Sequence, residues 1–299
     1  MLENDYVKLI KKGNKRIIKK RILIPFTKEE IISQHDYVNY LYDNGIKVAK
    51  ILGLYKYNNN YYEYQEYVDN DNSELDIYDM VRSIAIFHTC SKNYKKDVTK
   101  KKVYNFDFEC NDYKLKRFII GYDEKYNIYP SKNYDKYKEK MGFTNNEKYN
   151  RIMEFYNYCF NYIKNKFEEP NCIIHNDINR FNILNHNNML YLIDFDLCIK
   201  NYEIVDIVDI IISKYYGLDN IISNFDEIKK VVKNIVKIYN EYTSANISEE
   251  DIFYQMFLKI VSYNCYVVLN DNTKDVFDNN FNSVYKIKKL VKEGYYANN

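Results

Sequence analysis

Three polar residues follow the pattern H-x-D-x-x-x-x-N in the stretch IIHNDINRFNIL, at positions 173–184. His175 and Asp177 come directly after an apolar run, and Asn182 stands just before a second one. The apolar runs predict a short buried strand followed by a hairpin over positions 183–193. Polar side chains at the ends of such strands can meet, so the pattern predicts a chemical site.

A further acidic residue, Asp194, follows the second apolar run in the string YLIDFD. Burying carboxylates beside apolar strands costs free energy unless a cation neutralises them. Asn182 and Asp194 offer oxygen atoms, which suit Mg²⁺ better than zinc when substrate phosphates complete the coordination. Asp177 then remains to accept a hydroxyl proton, as phosphoryl transfer requires. Each residue could instead cap a turn, but the occurrence of both strings in a predicted hairpin favours the site.

The strings HNDINRFN and LIDFDLC resemble the catalytic and metal-binding motifs of the aminoglycoside phosphotransferase and choline kinase superfamily. They look closest to the CotS-type spore-coat kinase-like proteins of spore-forming bacteria, which carry a similar aspartate-phenylalanine-aspartate string ending in cysteine. The resemblance covers most of the chain. It implies an α+β, two-lobed protein-kinase-like fold, with an abbreviated N-terminal β lobe, a mainly helical C-terminal lobe and ATP in the cleft.

The resemblance also assigns roles to residues of these strings. Asp177 matches the catalytic base, Asn182 and Asp194 match the Mg²⁺ ligands, and His175 matches a support for the loop. Asp206, in EIVDIVDII, matches an aspartate that braces the catalytic loop from the following helix.

Nucleotide-binding residues are implied in the N-terminal lobe. Lys19, in GNKRIIKKR, matches the strand lysine that holds the α- and β-phosphates, with Lys20 as the competing assignment. Strand alternation puts Ile17 on the same face as Lys19, where it could pack on the adenine. The string QEYV looks like the hinge, where the Glu66 carbonyl and the Val68 amide would meet the adenine edge.

Three departures from the family pattern bear on nucleotide binding. Gln34 stands where the family usually has a glutamate partner for the lysine, and an amide cannot form that ion pair. The Lys19 strand comes so early in the sequence that it leaves little room for a first strand and a phosphate-covering loop, and no Gly-rich sequence precedes it. Asp196 takes the position after Phe195, where it could bind a second ion or orient the loop.

Hydrophobic periodicity divides the chain into residues 1–68 and residues 69–299. The first part is predicted to be a small nucleotide-binding sheet plus one helix, which opens with a capping box at Thr27. The second part carries the catalytic loop, the metal site and a helical acceptor region, with a less regular helix-plus-loop region at 95–146. His88, on an apolar helix face, is interpreted as a core residue rather than a second catalytic histidine.

Composition limits the partners. Lys plus Arg is 44 and Asp plus Glu is 42, so the formal net charge of +2 gives no chain-wide reason to expect nucleic acid. No apolar run approaches the length of a membrane span, and the six cysteines, which form no C-x-x-C pair, are typical of buried thiols in a reducing compartment. These features favour a cytoplasmic protein without nucleic-acid or membrane partners.

The segment between Asp196 and Asp206 is short and lacks Ala-Pro-Glu, whereas a protein kinase needs a longer activation segment. The acceptor is therefore expected to be a small molecule. We expect an ATP- and Mg²⁺-dependent phosphotransferase acting on a hydroxyl of a sugar, an amino sugar or a choline-like alcohol. The alternative is a catalytically weak or inactive kinase-fold scaffold associated with the spore coat, which the missing glycines and glutamate favour.

Overall fold

The computed structural model describes residues 6–13, 15–22, 26–71, 73, 75–96, 98, 147–167, 170, 172–270 and 274–296. Most of the region 95–146, predicted as helix plus loop, lies outside these described residues.

An antiparallel sheet with the strand order β1-β2-β4-β3 forms the N-terminal part of the chain. Its strands are β1 (Val7–Lys12), β2 (Lys15–Arg21), β3 (Ile51–Tyr57) and β4 (Asn60–Glu66). Gly13, in the turn between β1 and β2, has a φ of 61°, a left-handed conformation that glycine adopts without steric cost. The turn therefore fixes how β1 pairs with β2.

Helix α1 (Lys28–Asp43) connects β2 to β3 and covers one face of the sheet. Buried apolar side chains join the helix and its preceding loop to that face: Ile22, Phe26 and Ile31, with Leu54 and Tyr61 packed against them. His35 of α1 contacts Glu63 of β4 on the same face. Because side chains alternate along a strand, β2 presents Ile18 and Lys20 to the helix-covered face.

The C-terminal part is mainly helical, and its described residues include four short strands, in two antiparallel pairs, around the predicted catalytic loop. Its elements are α2 (Ile77–Ser91), α3 (Glu147–Lys166), β5 (Cys172–Ile174), β6 (Ile183–His186), β7 (Met189–Leu192), β8 (Ile199–Asn201), α4 (Ile204–Lys214), α5 (Leu218–Ser223), α6 (Phe225–Tyr242), α7 (Glu249–Asn270) and α8 (Lys274–Tyr296). Strand β5 pairs antiparallel with β8, and β6 forms a hairpin with β7. The loops that follow β5 and β7 carry the polar residues singled out above.

Buried hydroxyl groups fix β5, the strand that leads into the predicted catalytic loop. The carbonyl oxygen of Ile173 lies 2.6 Å from Ser91 Oγ and 3.0 Å from the Tyr37 hydroxyl. The Ile173 amide donates back to Ser91 Oγ at 3.0 Å. Since Tyr37 belongs to α1 and Ser91 to α2, this strand is held by helices from both parts of the chain.

The β6–β7 hairpin ties the two parts together at a second place. Its Leu192 amide donates to the Lys47 carbonyl at 2.9 Å, and its Asn185 carbonyl accepts from the Asp71 amide at 2.8 Å. The segments before β3 and after β4 are thus both hydrogen-bonded to the hairpin that precedes Asp194.

The α+β class predicted from the sequence is confirmed, with a small antiparallel sheet followed by a mainly helical part. The division at residue 68 stays a prediction. Among the described residues, no helix has the length and apolar character needed to cross a membrane.

The N-terminal cap of α1 gives a stability test. Thr27 Oγ1 accepts from the Glu30 amide at 3.2 Å, and the Glu30 side chain accepts from the Thr27 amide at 2.7 Å, which confirms the predicted capping box. We expect Thr27→Ala to lower the free energy of unfolding by about 1 kcal/mol, because one amide donor loses its partner. Urea denaturation followed by circular dichroism measures this, with Thr27→Ser as the matched control. Equal losses in both variants would contradict the capping role.

Candidate active site

Asp206, in the first turn of α4, holds the loop that follows β5. One carboxylate oxygen accepts from the His175 amide at 2.8 Å and from His88 Nε2 at 3.0 Å, and the other accepts from the Asn176 amide at 2.7 Å. Burial alone would raise the pKa of this carboxyl group, but the hydrogen bonds and charges of His88 and His175 outweigh burial and lower it. Asp206 therefore stays ionised, and it contacts the loop from the position in which the family resemblance implies a bracing aspartate.

A buried hydrogen-bond chain supports Asp206 from behind. His88 Nδ1 lies 2.8 Å from the Tyr239 hydroxyl, which donates to Glu203 at 2.9 Å, and Glu203 pairs with Lys92 at 3.0 Å. His88 is fully buried, so its interpretation as a core residue is confirmed. The histidine serves the site indirectly, because its other ring nitrogen orients Asp206.

His175 links the two loops of the site. Its Nε2 donates to the Ile193 carbonyl at 2.9 Å, and its ring centroid lies 4.6 Å from that of Phe195. These contacts are made on either side of Asp194, so the fully buried imidazole fixes the backbone on which Asp194 sits. This geometry matches the supporting position expected for His175.

Asp177 and Asn182 lie together in the predicted catalytic loop. Asn182 Nδ2 donates to the backbone carbonyl of Asp177 at 2.9 Å and to its carboxylate at 3.0 Å, while Asn179 Nδ2 donates to the other carboxylate oxygen at 3.2 Å. Both bonds of Asn182 use the amide nitrogen, which leaves the amide oxygen as a potential cation ligand. Burial raises the pKa of Asp177, which makes its carboxylate more basic.

Lys20 of β2 contacts the acidic residues of the second loop, which is the loop that follows β7. Its Nζ lies 2.5 Å from Asp194 Oδ1, 2.8 Å from Asp196 Oδ1 and 3.6 Å from Glu63 Oε1. Burial opposes the charge of this lysine, but the three carboxylates outweigh burial and raise its pKa well above the ordinary value. Lys20 is therefore charged at the point where the two parts of the chain meet.

The structure contradicts the placement predicted for Ile17 and Lys19. The Lys19 ammonium lies 4.3 Å from the centre of the Tyr62 ring, on the sheet face opposite to Lys20. The face toward Asp194 carries Ile18 and Lys20, so the competing assignment considered from the sequence has the required geometry. The string RIIKK offers an isoleucine two positions before a lysine in both registers, and nothing in it tells the two faces apart.

The sequence analysis missed Glu63, which is buried beside Lys20. It identified Gln34 as standing where the family usually has a glutamate that pairs with the lysine. Gln34 Nε2 instead donates to Asp196 Oδ1 at 3.4 Å. The signal in the sequence that could have identified Glu63 is a single glutamate among the residues of β4 that share the helix-covered face of the sheet.

The predicted hinge, at positions 65–68, begins in the last two residues of β4. The Glu66 amide donates to the Lys50 carbonyl at 2.8 Å, as the last link of the sheet. Val68 is buried against Ala49 and Leu184, which places an apolar cluster between the hinge and the β6–β7 hairpin.

The donor set around Asp194 suits a divalent cation that is shared with a substrate. Three carboxylates converge on the Lys20 ammonium, so negative charge exceeds positive charge at this point. Within the described residues, no group of three or more His, Cys, Asp or Glu side chains could hold a metal ion. One amide oxygen from Asn182 and one carboxylate from Asp194 fit Mg²⁺, which commonly takes its remaining ligands from phosphates and water.

A second ion pair lies deeper, between α4 and α7. Lys259 Nζ is 2.7 Å from Asp209 Oδ1, and both Lys259 and Asp209 interact electrostatically with Asp177. Burial raises the pKa of Asp209 to about 7, against the opposing effect of Lys259. The Lys259–Asp209 pair thus lies next to Asp177, on the side of the site that faces the C-terminal helices.

Comparison with known proteins gives a family and a fold. The model of the phosphotransferase enzyme family matches residues 2–221 of the chain. No curated protein matches the chain with significance.

Several solved structures share the architecture at low sequence identity. The microcompartment-associated aminopropanol kinase is 13% identical, with a TM-score of 0.66 over 99% of this chain and 91% of that chain. Amicoumacin kinase hAmiN, in complex with AMP-PNP, Ca²⁺ and Ami, is 13% identical, with a TM-score of 0.58 over 96% and 89%. Choline kinase LicA from Streptococcus pneumoniae is 14% identical, with a TM-score of 0.54 over 95% and 90%. These matches confirm the kinase-like fold and the superfamily resemblance.

The Lys259–Asp209 pair gives a pH-dependent prediction. Lys259→Met should lower the free energy of unfolding by about 3 kcal/mol at pH 9, because an ionised carboxylate is left buried without its partner. At pH 5.5 the loss should be smaller: burial raises the pKa of Asp209 above its value in the unfolded chain, so the carboxyl group is protonated in the folded state. Urea denaturation at both pH values measures the effect.

The matched control is the double variant Lys259→Met/Asp209→Asn, which removes both charges and should recover much of the lost stability at pH 9. An unfolding free energy for Lys259→Met that falls equally at both pH values would show that the pairing with Asp209 is not the cause.

Proposed function

Since the chain belongs to the phosphotransferase enzyme family, we propose that it transfers the γ-phosphoryl group of ATP to a hydroxyl of a small metabolite. One observation carries the proposal: Lys20, from the sheet, lies 2.5 Å from Asp194, while Asn182 donates to Asp177 at 3.0 Å in the adjacent loop. A phosphate-binding cation, two oxygen ligands and a carboxylate base are thereby gathered at the junction of the two parts of the chain.

The nucleotide would bind between the sheet and the β6–β7 hairpin. We assign the adenine to the space between Ile18, which shares the face of Lys20, and Leu184, which packs against Val68. The Glu66 carbonyl and the Val68 amide would meet the adenine edge. Lys20, rather than Lys19, would hold the phosphates, because its ammonium faces the cleft.

Asn182 and Asp194 would hold Mg²⁺ through one amide oxygen and one carboxylate. The ion held by these two residues would supply positive charge that compensates the charge of the phosphates. The proposal draws support from hAmiN, a kinase of the same fold whose structure contains AMP-PNP and Ca²⁺.

Asp177 would orient the acceptor hydroxyl and take its proton. Its carboxylate is held on both sides by Asn179 and Asn182, so its position is fixed before the acceptor binds. Burial raises its pKa, which improves a carboxylate as a general base. Asp206 and His175 would act by positioning the loop and would not touch the substrates.

A small acceptor fits the connection from Asp196 to Asp206, which is short and lacks the Ala-Pro-Glu of a protein-kinase activation segment. The structural neighbours include an aminopropanol kinase and a choline kinase. We therefore propose a sugar, amino sugar or choline-like alcohol as the acceptor, and the cytoplasm as the place of the reaction.

A spore-coat scaffold of low or no activity is the second candidate. It is favoured by the absence of any Gly-rich sequence before β2 and by the DFDLC string that resembles CotS-type proteins. The intact set of Asp177, Asn182 and Asp194 favours the enzyme, because a scaffold has no need of a base and two cation ligands in one cleft.

The neighbouring lysines provide a matched pair of variants. Lys20→Met should weaken the affinity for Mg·ATP by about tenfold or more, because a charge-assisted contact to phosphate is lost. Lys19→Met, on the opposite face of the same strand, should bind nearly as well as the parent. Isothermal titration calorimetry measures both. A larger loss of affinity in Lys19→Met than in Lys20→Met would assign the phosphate contact to Lys19. A parent protein without saturable binding at millimolar nucleotide would favour the scaffold function.

Turnover tests the base. Asp177→Asn should lower the rate of phosphoryl transfer by about 10² or more while leaving ATP affinity nearly unchanged, because general-base help is lost but the fold of the loop is retained. The assay is transfer of the γ-phosphate to a panel of amino alcohols, sugars and amino sugars, read by mass spectrometry. An active parent with an equally active variant would remove Asp177 from the mechanism.

A further inference from the structure

Lys20 and Glu63 are directly opposite each other in the antiparallel pairing of β2 with β4. Directly opposed side chains on one face of a sheet are close enough to interact. The Lys20 Nζ lies 3.6 Å from Glu63 Oε1, and the two side chains are 13% and 2% exposed. The ion pair is therefore built into the register of the sheet.

Glu63 is itself held in place from two sides. Its Oε2 lies 2.9 Å from His35 Nε2 of α1, and its Oε1 accepts from Gln65 Nε2 on the same strand. A buried carboxylate is costly unless such partners compensate its lost hydration. The chain thus maintains a fully partnered acid beneath the lysine, at a position that an apolar side chain could otherwise fill.

Gln34 faces the same group of residues without supplying a charge. Its amide donates to Asp196 Oδ1, the oxygen atom that Lys20 also contacts. The helix side chain therefore orients an acidic residue of the second loop. The counter-charge on the sheet side of Lys20 comes from β4.

We propose that Glu63 is the positioning residue that aims Lys20 at the phosphates, in place of a glutamate from the helix. This inference rests on the proposed function and deepens it. Because Lys20 and Glu63 belong to paired strands, the ion pair that orients the lysine lies within the sheet, and His35 of α1 supports it through the Glu63 carboxylate. Lys20 can then exchange Asp194 for a phosphate group while Glu63 keeps hold of its other side.

A double-mutant cycle tests the proposal. We expect Glu63→Gln to weaken the affinity for Mg·ATP by about tenfold in the parent background, and to change it by less than about twofold in a Lys20→Met background. A residue that acts only by stabilising the fold would weaken binding equally in both backgrounds. Calorimetric titration of the full chain with Mg·ATP gives the four dissociation constants, and thermal denaturation checks that each variant is folded.

Two results would overturn this proposal while leaving the proposed function intact. One is an equal loss of Mg·ATP affinity from Glu63→Gln in the two backgrounds, and the other is an unchanged affinity in Glu63→Gln when the parent protein binds Mg·ATP. A parent that shows no saturable binding would overturn both. If Glu63→Gln does not fold, His35→Gln removes one hydrogen-bond partner of the same carboxylate and enters the same cycle. Its expected effect is smaller, in the same direction, and again absent without Lys20.

Discussion

The contact between Lys20 and Asp194 is the interaction on which the site depends, because it is where the sheet reaches the loops of the C-terminal part. Attraction across this contact has to exceed the cost of removing the lysine from water. Asp196 and Glu63 supply the additional negative charge. In the proposed function, the resulting excess of carboxylates over ammonium groups would attract a divalent cation, and the cation would in turn compensate the charge of the polyphosphate. The same carboxylates that stabilise the Lys20 ammonium without ligand would therefore contribute to binding the proposed cation.

The loops that meet Lys20 are held by a second, fully buried set of contacts. Asp206 accepts the amides of His175 and Asn176, and His175 reaches across to the Ile193 carbonyl. Asn176 and Asp194 both have a positive φ, of 66° and 67°, a conformation in which asparagine and aspartate are enriched. The backbone of both loops is therefore fixed before any ligand binds, which lowers the entropic cost of organising the reacting groups.

Local sequence patterns predicted a feature correctly where that feature depends on a single helix or hairpin. The capping box of α1, the burial of His88 and the hairpin before Asp194 each depend on residues close together in the chain, and the structure has all three. The contact of Asp206 with the loop came from the family resemblance, since only the tertiary structure brings α4 beside β5.

The errors arose where a choice depended on strand register. RIIKK carries two overlapping isoleucine-x-lysine patterns, and only the pairing with β4 decides which lysine faces the cleft. The same register puts Glu63 opposite Lys20, a contact between residues far apart in sequence that periodicity does not reveal. Register is a property of the assembled sheet, so a single strand could not have shown it.

We propose that this cleft binds a nucleotide and a divalent cation between Lys20, Asn182 and Asp194. The most direct measurement is a crystal structure of the full chain with Mn²⁺ and AMP-PNP, with anomalous data collected at the manganese edge. If the proposal holds, the anomalous peak will lie within bonding distance of Asn182 Oδ1 and an Asp194 carboxylate oxygen, and Lys20 Nζ will contact the phosphates. A peak bonded to other residues, or a cleft without nucleotide at saturating concentration, would contradict it.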